Sequence, residues 1–365
     1  MKNKRYLLAL NHMYRVGPLT IAKLLACWSD LQELFELSPV GLKEAGLPEL
    51  LVEAISTFDW SRVDEDWRWV EKNNQHHLVT LSDPEYPPLL REIPDPPAVL
   101  YAKGDLSSFK QLTVAMVGTR KPSVTGSETA RHFARALCRR SITIVSGLAL
   151  GIDAQVHQGC LDVKGKTIAV MGTGIDVIYP RRHLQLADLI SQNGLIVSEF
   201  PLKTSPIAGH FPQRNRIISG LSLITLIVEA AVRSGSLITA RLAMEQNRDV
   251  MAIPGSIHNS QARGCHQLLQ QGAKLVTSIE DVLDELKIGY EHLVENEKKK
   301  VTLATENNNL VKCIGYEVTS TDQIAVRSGL DVGKVTCFLA ELELQGIIKA
   351  VNGGYMRCVD ERNIV

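Results

Sequence analysis

The sequence predicts an α/β protein: a Rossmann-like, doubly wound and mostly parallel sheet, with a small all-α N-terminal domain and a C-terminal winged helix. Seven short apolar runs rich in β-branched residues recur about every 25–28 residues, with helical patterns between several of them. The chain before them has helical periodicity, and about the last sixty residues carry three helix patterns and then a hairpin. We therefore expect a helical domain at 1–75, a Rossmann-like domain at 76–287, a linker at 288–304 and a winged-helix domain at 305–365.

The first segment is expected to form short helices separated by glycine-containing turns. Pro18 lies near the start of VGPLTIAKLL, and Gly46-Leu47-Pro48 opens a second amphipathic run. Proline is favoured in the first turn of a helix, where its missing N–H leaves no helical hydrogen bond unmade. The pattern resembles helix-hairpin-helix or sterile-alpha-motif-like modules, and it favours a small interaction domain over a second DNA site.

The central segment predicts the sheet. A proline-rich connector at 76–110 forbids a long helix, although VLYAKG within it is expected to add a strand. Continuous apolar strands that alternate with helices indicate a parallel sheet covered on both faces. The seven runs are VAMV (114–117), ITIV (142–145), TIAVM (167–171), LIVS (195–198), SLITLIV (222–228), VMAI (250–253) and KLV (274–276).

The C-terminal segment predicts a winged helix. Residues 288–304 have no apolar periodicity and contain many charged residues, which is typical of linkers. Three helix patterns follow them. An Asn352-Gly353-Gly354 turn between two β-rich runs is a strong hairpin signal. The third helix pattern carries three acidic residues against one lysine, whereas a helix for the DNA major groove is expected to be basic. A protein contact or dimer-stabilising role is therefore the preferred interpretation of this domain.

Composition excludes several classes of protein. The chain has 365 residues and is 45% apolar, and no apolar run approaches the ~18–20 residues of a membrane-spanning helix. The apolar stretch near the start stops at Asn11, so a signal peptide is not expected. Seven scattered cysteines without a CxxC pair indicate neither a disulfide framework nor a zinc site. We expect a reduced, cytoplasmic protein with no membrane association, no metal and no cofactor.

The formal net charge of zero is a sum of unlike segments. Residues 1–75 hold nine basic and eleven acidic side chains, and residues 280–365 hold ten and fifteen. Residues 76–279 hold twenty-one basic and fourteen acidic side chains, a surplus of seven. Because phosphate binding depends on the local field, the zero total does not exclude a nucleic-acid partner for the central segment.

Special residues cluster where the predicted strands end. The carboxyl ends of parallel strands meet at one sheet edge, which is where open α/β folds bind ligands. Glycine lets backbone N–H groups approach a ligand, and helix N-termini favour anions, so the ligand is expected to carry phosphate. The residues concerned are Gly118-Thr119-Arg120, Ser146-Gly147, Gly172-Thr173-Gly174, Ser198-Glu199 and Arg233 to Ser236.

The phosphate compound is expected to be a polymer. Gly172-Thr173-Gly174 lacks the third glycine of a dinucleotide fingerprint, and no P-loop motif is present. The loops instead carry arginines, and in FPQRNRIISG a proline in the first helical turn places Arg214 and Asn215 at a helix N-terminus. Donors on several loops suit a run of phosphates, with Ser236 and Thr239 adding hydroxyls. Phe211 is either a base-stacking platform or a core aromatic.

Other charged groups give weaker signals. Arg131, Arg135 and Arg139 share one helix face and either extend a DNA track or form a solvated face, the second being favoured. Asp153 is best interpreted as a helix N-cap rather than a catalytic partner of His157. Asp176, Glu199 and Glu229 complete the acidic candidates, and no catalytic constellation stands out.

These motifs together resemble the DNA-processing protein A family (DprA, also called Smf). VGTR, SGLALGIDAQVH, IAVMGTGIDVIYP, SEFP, FPQRNRIISGLS, VEA, SGSLITA and VMAIPG occur in the family's order over about residues 80–285. The resemblance implies a recombination mediator without enzymatic turnover. Such a mediator binds and protects incoming single-stranded DNA during natural transformation, acts as a homodimer and loads the recombinase RecA.

The resemblance also implies a set of DNA-binding residues. Gln213 stands where lysine is frequent in the family, Leu150 where arginine is common and His266 where asparagine is usual. These departures are expected to weaken binding but to spare the Arg120 and Arg214 positions. The implied positions are Gly118, Thr119, Arg120, Gly147, Phe211, Arg214, Asn215, Arg216, Gly235, Ser236 and Thr239.

The alternative from a different class is a nucleotide-processing enzyme on the same scaffold, such as a nucleoside-monophosphate phosphoribohydrolase. That family uses a PGGxGTxxE motif. The corresponding segment here, GSLITARLAME, has no PGG and no glutamate at the matching spacing. Glu199 and Glu229 are the carboxylates that such an activity would need.

Overall fold

A nine-stranded sheet organises the chain, and a two-stranded hairpin lies near its C-terminus. The computed structural model describes residues 2–286, 310–344 and 347–358, so the predicted linker at 288–304 lies outside the described residues. The nine strands are β1 (His76–Thr80), β2 (Val99–Gly104), β3 (Thr113–Val117), β4 (Thr143–Ser146), β5 (Thr167–Val170), β6 (Leu195–Ser198), β7 (Ile224–Ile227), β8 (Asp249–Ala252) and β9 (Lys274–Leu275).

The strand order is β1-β2-β6-β5-β4-β3-β7-β8-β9. The pairs from β6 through β9 are all parallel, whereas β2 runs antiparallel to both β1 and β6. The predicted mostly parallel, doubly wound sheet is therefore confirmed, as is a strand at VLYAKG. Strand β1 has no counterpart among the predicted strands, because HHLVT contains only two apolar residues and lies at the sheet edge, where burial is partial.

Helices cover both faces of the sheet because its strand residues alternate in direction. Val114 and Met116 of β3 pack with one set of helices, and Ala115 and Val117 pack with the opposite set. The first set contains α8 (Val124–Arg139), α9 (Ile152–Asp162) and α14 (Ile279–Glu285). The second contains α7 (Pro88–Arg91), α11 (His210–Gly220), α12 (Ser236–Glu245) and α13 (Arg263–Gln270). Helix α10 (Leu184–Asn193) packs beside β5 and β6.

Six short helices precede the sheet, as the periodicity predicts. Their apolar side chains form one cluster with Tyr101 of β2 and with Ala169 and Ile196 further into the sheet. Asp66 lies buried at this junction, where its Oδ2 accepts a hydrogen bond from Tyr101 Oη at 2.9 Å and lies 2.7 Å from His12 Nε2. The helices are α1 (Lys2–His12), α2 (Pro18–Cys27), α3 (Leu31–Glu36), α4 (Pro39–Glu44), α5 (Glu49–Ser56) and α6 (Ser61–Glu71).

The C-terminal part is a winged helix. A helical turn at 310–313 precedes α15 (Thr321–Ser328), α16 (Val332–Leu344) and the hairpin β10 (Ile348–Val351) and β11 (Gly354–Arg357). Lys349 of the hairpin forms an ion pair with Glu128 of α8, and Thr125 Oγ1 donates to the carbonyl of Tyr316 at 3.3 Å. In the described part of the chain, no helix is long and apolar enough to cross a bilayer.

We expect Asp66→Ala to lower the free energy of unfolding by about 2–4 kcal/mol, because it leaves the buried Tyr101 hydroxyl and the partly buried His12 ring without their partner. All four tryptophans of the chain precede residue 76, so tryptophan fluorescence during urea unfolding reports on this region. Asp64→Asn is the matched control, since Asp64 is exposed on the same helix and lies 3.7 Å from Arg5. Equal urea midpoints of unfolding for Asp66→Ala and Asp64→Asn would contradict the stabilising role of the buried Asp66.

Candidate functional site

A cavity of about 860 Å³ opens at the carboxyl edge of the sheet. It lies beside β3, which pairs with β4 on one side and β7 on the other, so the strand order reverses at this point. Loops after β3 and β7 and residues of α11 and α12 line it. Open α/β sheets bind ligands at this kind of reversal, because the loops on either side diverge and leave a crevice.

Nine of the eleven predicted DNA-binding residues line the cavity, and two do not. Gly147 and Arg216 are the two outside it. Whether the other nine bind DNA stays a prediction that rests on their position. The nine are Gly118, Thr119, Arg120, Phe211, Arg214, Asn215, Gly235, Ser236 and Thr239.

The loop after β3 is tightly packed up to Arg120, whose side chain is exposed. A Cβ at Gly118 would lie 2.6 Å from Ile152 Cγ1, so only glycine fits there. Thr119 donates its N–H to the Glu229 carbonyl at 2.7 Å and its hydroxyl to Gln261 Oε1 at 3.0 Å. Arg120 is exposed, and its Cζ lies 5.9 Å from the centroid of the Phe211 ring. The loop therefore presents a guanidinium to the cavity from a rigid base.

Arg214 forms part of the cavity floor. Helix α11 begins at His210, so Arg214 lies in its second turn rather than at its N-terminus as predicted. Its Nη1 donates to the carbonyl of Gly147 at 2.6 Å and to that of Val170, which tie it to the ends of β4 and β5. Burial lowers the pKa of Arg214 to about 10, and Asp153 opposes that shift, so the guanidinium is charged at neutral pH.

Asp153 is not the N-cap that the sequence analysis expected. Helix α9 starts at Ile152, and Gly151, with φ of +80°, occupies the cap position. The buried Asp153 Oδ2 accepts hydrogen bonds from the N–H groups of Gly147 at 3.1 Å and Ala149 at 3.3 Å. Burial raises the pKa of Asp153, while Arg214 lowers it. The carboxylate thus holds the loop after β4 and balances the buried guanidinium.

Gly147 contacts Arg214 instead of the cavity. A Cβ at this position would lie 2.6 Å from Arg214 Nη2, so a larger residue would displace the guanidinium. Gly147 is therefore a close-packing position beneath the floor, and its part in DNA binding stays a prediction.

Arg216, whose predicted DNA contact stays a prediction, also lies outside the cavity lining. It lies on the side of α11 away from the cavity and is 4% exposed. Its Nη2 donates to Glu199 Oε2, and its Nε lies 3.2 Å from Asp95 Oδ2. Burial raises the pKa of Glu199 to about 7, although Arg216 lowers it. Two carboxylates therefore bind this buried guanidinium through its Nε and Nη2, while its Nη1 has no hydrogen-bond partner among the described residues.

The carboxylates proposed for the enzymatic alternative both have structural partners. Glu199 pairs with Arg216, and neither side chain lines the cavity. Glu229 accepts hydrogen bonds from the Ser123 N–H at 2.8 Å and from Asn259 Nδ2 at 2.9 Å. On α8, Arg131 forms two hydrogen bonds to Asp162, which favours the solvated-face interpretation at that position.

The cavity includes residues that were absent from the predicted set. Tyr179, Lys121, Arg233 and Gln261 line it. Arg233 follows β7 and was among the residues that the sequence placed after strand ends, although not in the set implied for DNA binding. Tyr179 and Lys121 lie in the loops after β5 and β3, so the same position after a strand end was the signal that could have found them. The departures at Leu150, Gln213 and His266 lie outside the cavity lining.

Comparison with known proteins identifies the family to which this chain belongs. A model described as DNA recombination-mediator protein A matches residues 77–287, and one described as DprA winged helix domain matches residues 295–354. This chain belongs to the DNA recombination-mediator protein A family. Protein Smf of Escherichia coli K12 is 42% identical over 328 residues, which cover 88% of this chain and 87% of that protein.

Two solved structures of DprA proteins are also similar. DprA from Streptococcus pneumoniae is 38% identical, with a TM-score of 0.68, covering 78% of this chain and 98% of that one. DprA from Helicobacter pylori is 33% identical, with a TM-score of 0.53, covering 58% of this chain and 96% of that one. The H. pylori structure is described as giving insight into a single-stranded DNA binding mode of that protein.

The buried Glu199 predicts a pH effect on stability. Its pKa is about 7 in the folded chain and 4.5 as an ordinary carboxyl, so between these values the folded state holds a proton that the unfolded state releases. Stability should therefore fall as pH rises from about 5 to 7. Glu199→Gln should remove this contribution, by about 1–3 kcal/mol. Urea unfolding of the wild type and of Glu199→Gln between about pH 5 and 7 measures this contribution. If the free energy of unfolding of the two proteins changed with pH in parallel, the predicted effect of Glu199 would be contradicted.

Proposed function

We propose that this protein is a non-catalytic mediator that binds single-stranded DNA, protects it and loads RecA onto it during natural transformation. The observation that carries the proposal is the charge of the cavity. Four cations line it against one carboxyl group, that of the buried Asp153. The cations are Arg120, Lys121, Arg214 and Arg233.

Three of these cations are available to a ligand. Arg120, Lys121 and Arg233 are exposed, and none lies within ion-pair distance of a carboxylate in the described residues. They come from two loops on opposite sides of the strand-order reversal. A single phosphate would need one such cluster, whereas a chain of phosphates can contact both. This spread supports a polymer over a mononucleotide.

The neighbouring family members support the same proposal. The H. pylori relative is described by its single-stranded DNA binding mode, and relatives in Bacillus subtilis and S. pneumoniae are named DNA processing protein DprA. Membership of the family supports RecA as the protein partner, a homodimer as the assembly and, because RecA acts there, the cytoplasm as the location. The winged helix, with its acidic third helix, is proposed to contact protein.

The enzymatic alternative can be tested directly by an assay for phosphoribohydrolase activity. A phosphoribohydrolase would release free base from nucleoside monophosphates, and Glu199→Gln or Glu229→Gln would abolish that release. We expect no release from the wild-type protein, since Glu199 and Glu229 serve ion-pair and capping contacts. Base release that depends on either glutamate, measured by chromatography, would replace the mediator proposal with a hydrolase.

Arg120→Ala should weaken binding of an oligothymidylate about tenfold at low salt, because it removes one exposed charge from the phosphate path. The slope of log affinity against log salt should fall in magnitude by ~0.7. A salt titration by fluorescence anisotropy measures both quantities.

Arg131→Ala is the matched control, since Arg131 is a partly exposed arginine of the same domain that is bound to Asp162. It should leave the affinity and the slope near wild type. Equal losses in the two variants would instead indicate diffuse surface attraction, and unchanged binding by Arg120→Ala would remove this loop from the site.

A further inference from the structure

Tyr179 stands at the rim of the cavity with nearly half of its surface exposed. It lies in the loop after β5, is 46% exposed and lines the cavity. Its ring centroid lies 5.5 Å from that of Phe211, with the planes inclined at 44°. An internal hydrogen bond constrains the loop that carries Tyr179, since Thr173 Oγ1 donates to the Val177 carbonyl at 2.6 Å. A large aromatic side chain is thus held open to solvent beside a basic crevice.

Gly172 determines where the Phe211 ring can lie. A Cβ at Gly172 would lie 2.9 Å from Phe211 Cδ1, closer than side-chain carbons approach one another in proteins. The ring therefore packs directly on the backbone of the loop after β5. Within the Gly172-Thr173-Gly174 motif, which resembles part of a dinucleotide fingerprint, Gly172 is the residue that leaves room for this aromatic ring.

The Phe211 ring has both a guanidinium and a second aromatic ring as neighbours. Arg120 lies over the Phe211 ring, and Tyr179 lies beside it. A guanidinium and two aromatic rings offer flat surfaces to planar groups and positive charge to phosphates. Of the polymers that carry phosphate, single-stranded nucleic acid exposes unpaired base faces that such rings can stack on.

We propose that Tyr179 is a base-binding residue that forms, with Phe211, a two-ring stacking subsite, and that Gly172 is a positioning residue for the Phe211 ring. The proposal rests on the single-stranded DNA function proposed above. It assigns two separable tasks within one cavity: the exposed cations bind phosphates, and the ring pair binds bases.

The two tasks can be separated with an abasic strand. The probes are an oligothymidylate and an abasic oligonucleotide with the same number of phosphates, titrated against the full chain by fluorescence anisotropy. Tyr179→Ala should weaken oligothymidylate binding about tenfold, in the range found for loss of one base–aromatic stack, and leave abasic binding unchanged. Tyr179→Phe keeps the ring and should recover most of the lost affinity. Tyr14→Ala, at an 84% exposed tyrosine in the N-terminal region, is the control.

Gly172→Ala tests the positioning role. The added methyl group should displace the Phe211 ring and reduce oligothymidylate affinity, again without effect on the abasic strand. Gly209→Ala is its matched control, because a Cβ there meets no atom within 4 Å. Thermal unfolding of each variant checks that the fold is retained.

The outcomes distinguish this inference from the function on which it rests. Loss of affinity in Arg120→Ala but not in Tyr179→Ala would overturn the ring subsite and leave the proposed function standing. An equal loss on both probes in Tyr179→Ala would also overturn it, since a stacking residue cannot act on a strand without bases. No binding of either probe by the wild-type chain would overturn both proposals.

Discussion

The cavity depends on one buried guanidinium. Arg214 reaches from α11 to the carbonyl groups at the ends of β4 and β5, which would otherwise lie unpaired beneath the cavity. A buried unpaired carbonyl costs about 1–3 kcal/mol, and a buried unpaired charge costs more. Asp153 supplies the counter-charge and also binds the N–H groups of the loop after β4. These two side chains, each hydrogen-bonded to the loop after β4, thereby link α11, α9 and the strand ends.

The helix that carries Arg214 separates two electrostatic environments. Successive residues of an α-helix are rotated by about 100°, so side chains two apart point to different sides. Arg214 reaches the cavity floor, whereas Arg216 is enclosed by Glu199 and Asp95. Phe211, one turn earlier than Arg214, lies on the cavity side and packs on Gly172. A motif of six residues therefore contains a ring at the surface, a floor residue and a buried anchor.

The charge of the whole chain is informative only after the arginines that form ion pairs with carboxylates are set aside. The central segment has a surplus of basic residues, but Arg216, Arg248 and Arg131 are bound to carboxylates of the same segment. The field at the cavity comes from a smaller group on the loops after β3 and β7. The acidic ends of the chain bring the total to zero, but among the described residues that line the cavity Asp153 is the one that carries a carboxyl group.

The sequence by itself determined the parallel sheet, the flanking helical regions and the sheet edge where the cavity lies. These follow from the spacing of apolar runs and from the rule that parallel strands end at one edge, which need no knowledge of contacts. Only the tertiary structure decided that Arg120 is exposed, that Arg214 ties two strand ends, that Arg216 is enclosed and that Gly147 packs beneath a guanidinium. The same residue type in one short motif takes different roles because burial and partners come from segments distant in sequence, such as Asp95 and Glu199 for Arg216. The position of Tyr179 at the cavity likewise depends on tertiary contacts, since its neighbour Phe211 lies thirty-two residues away in sequence.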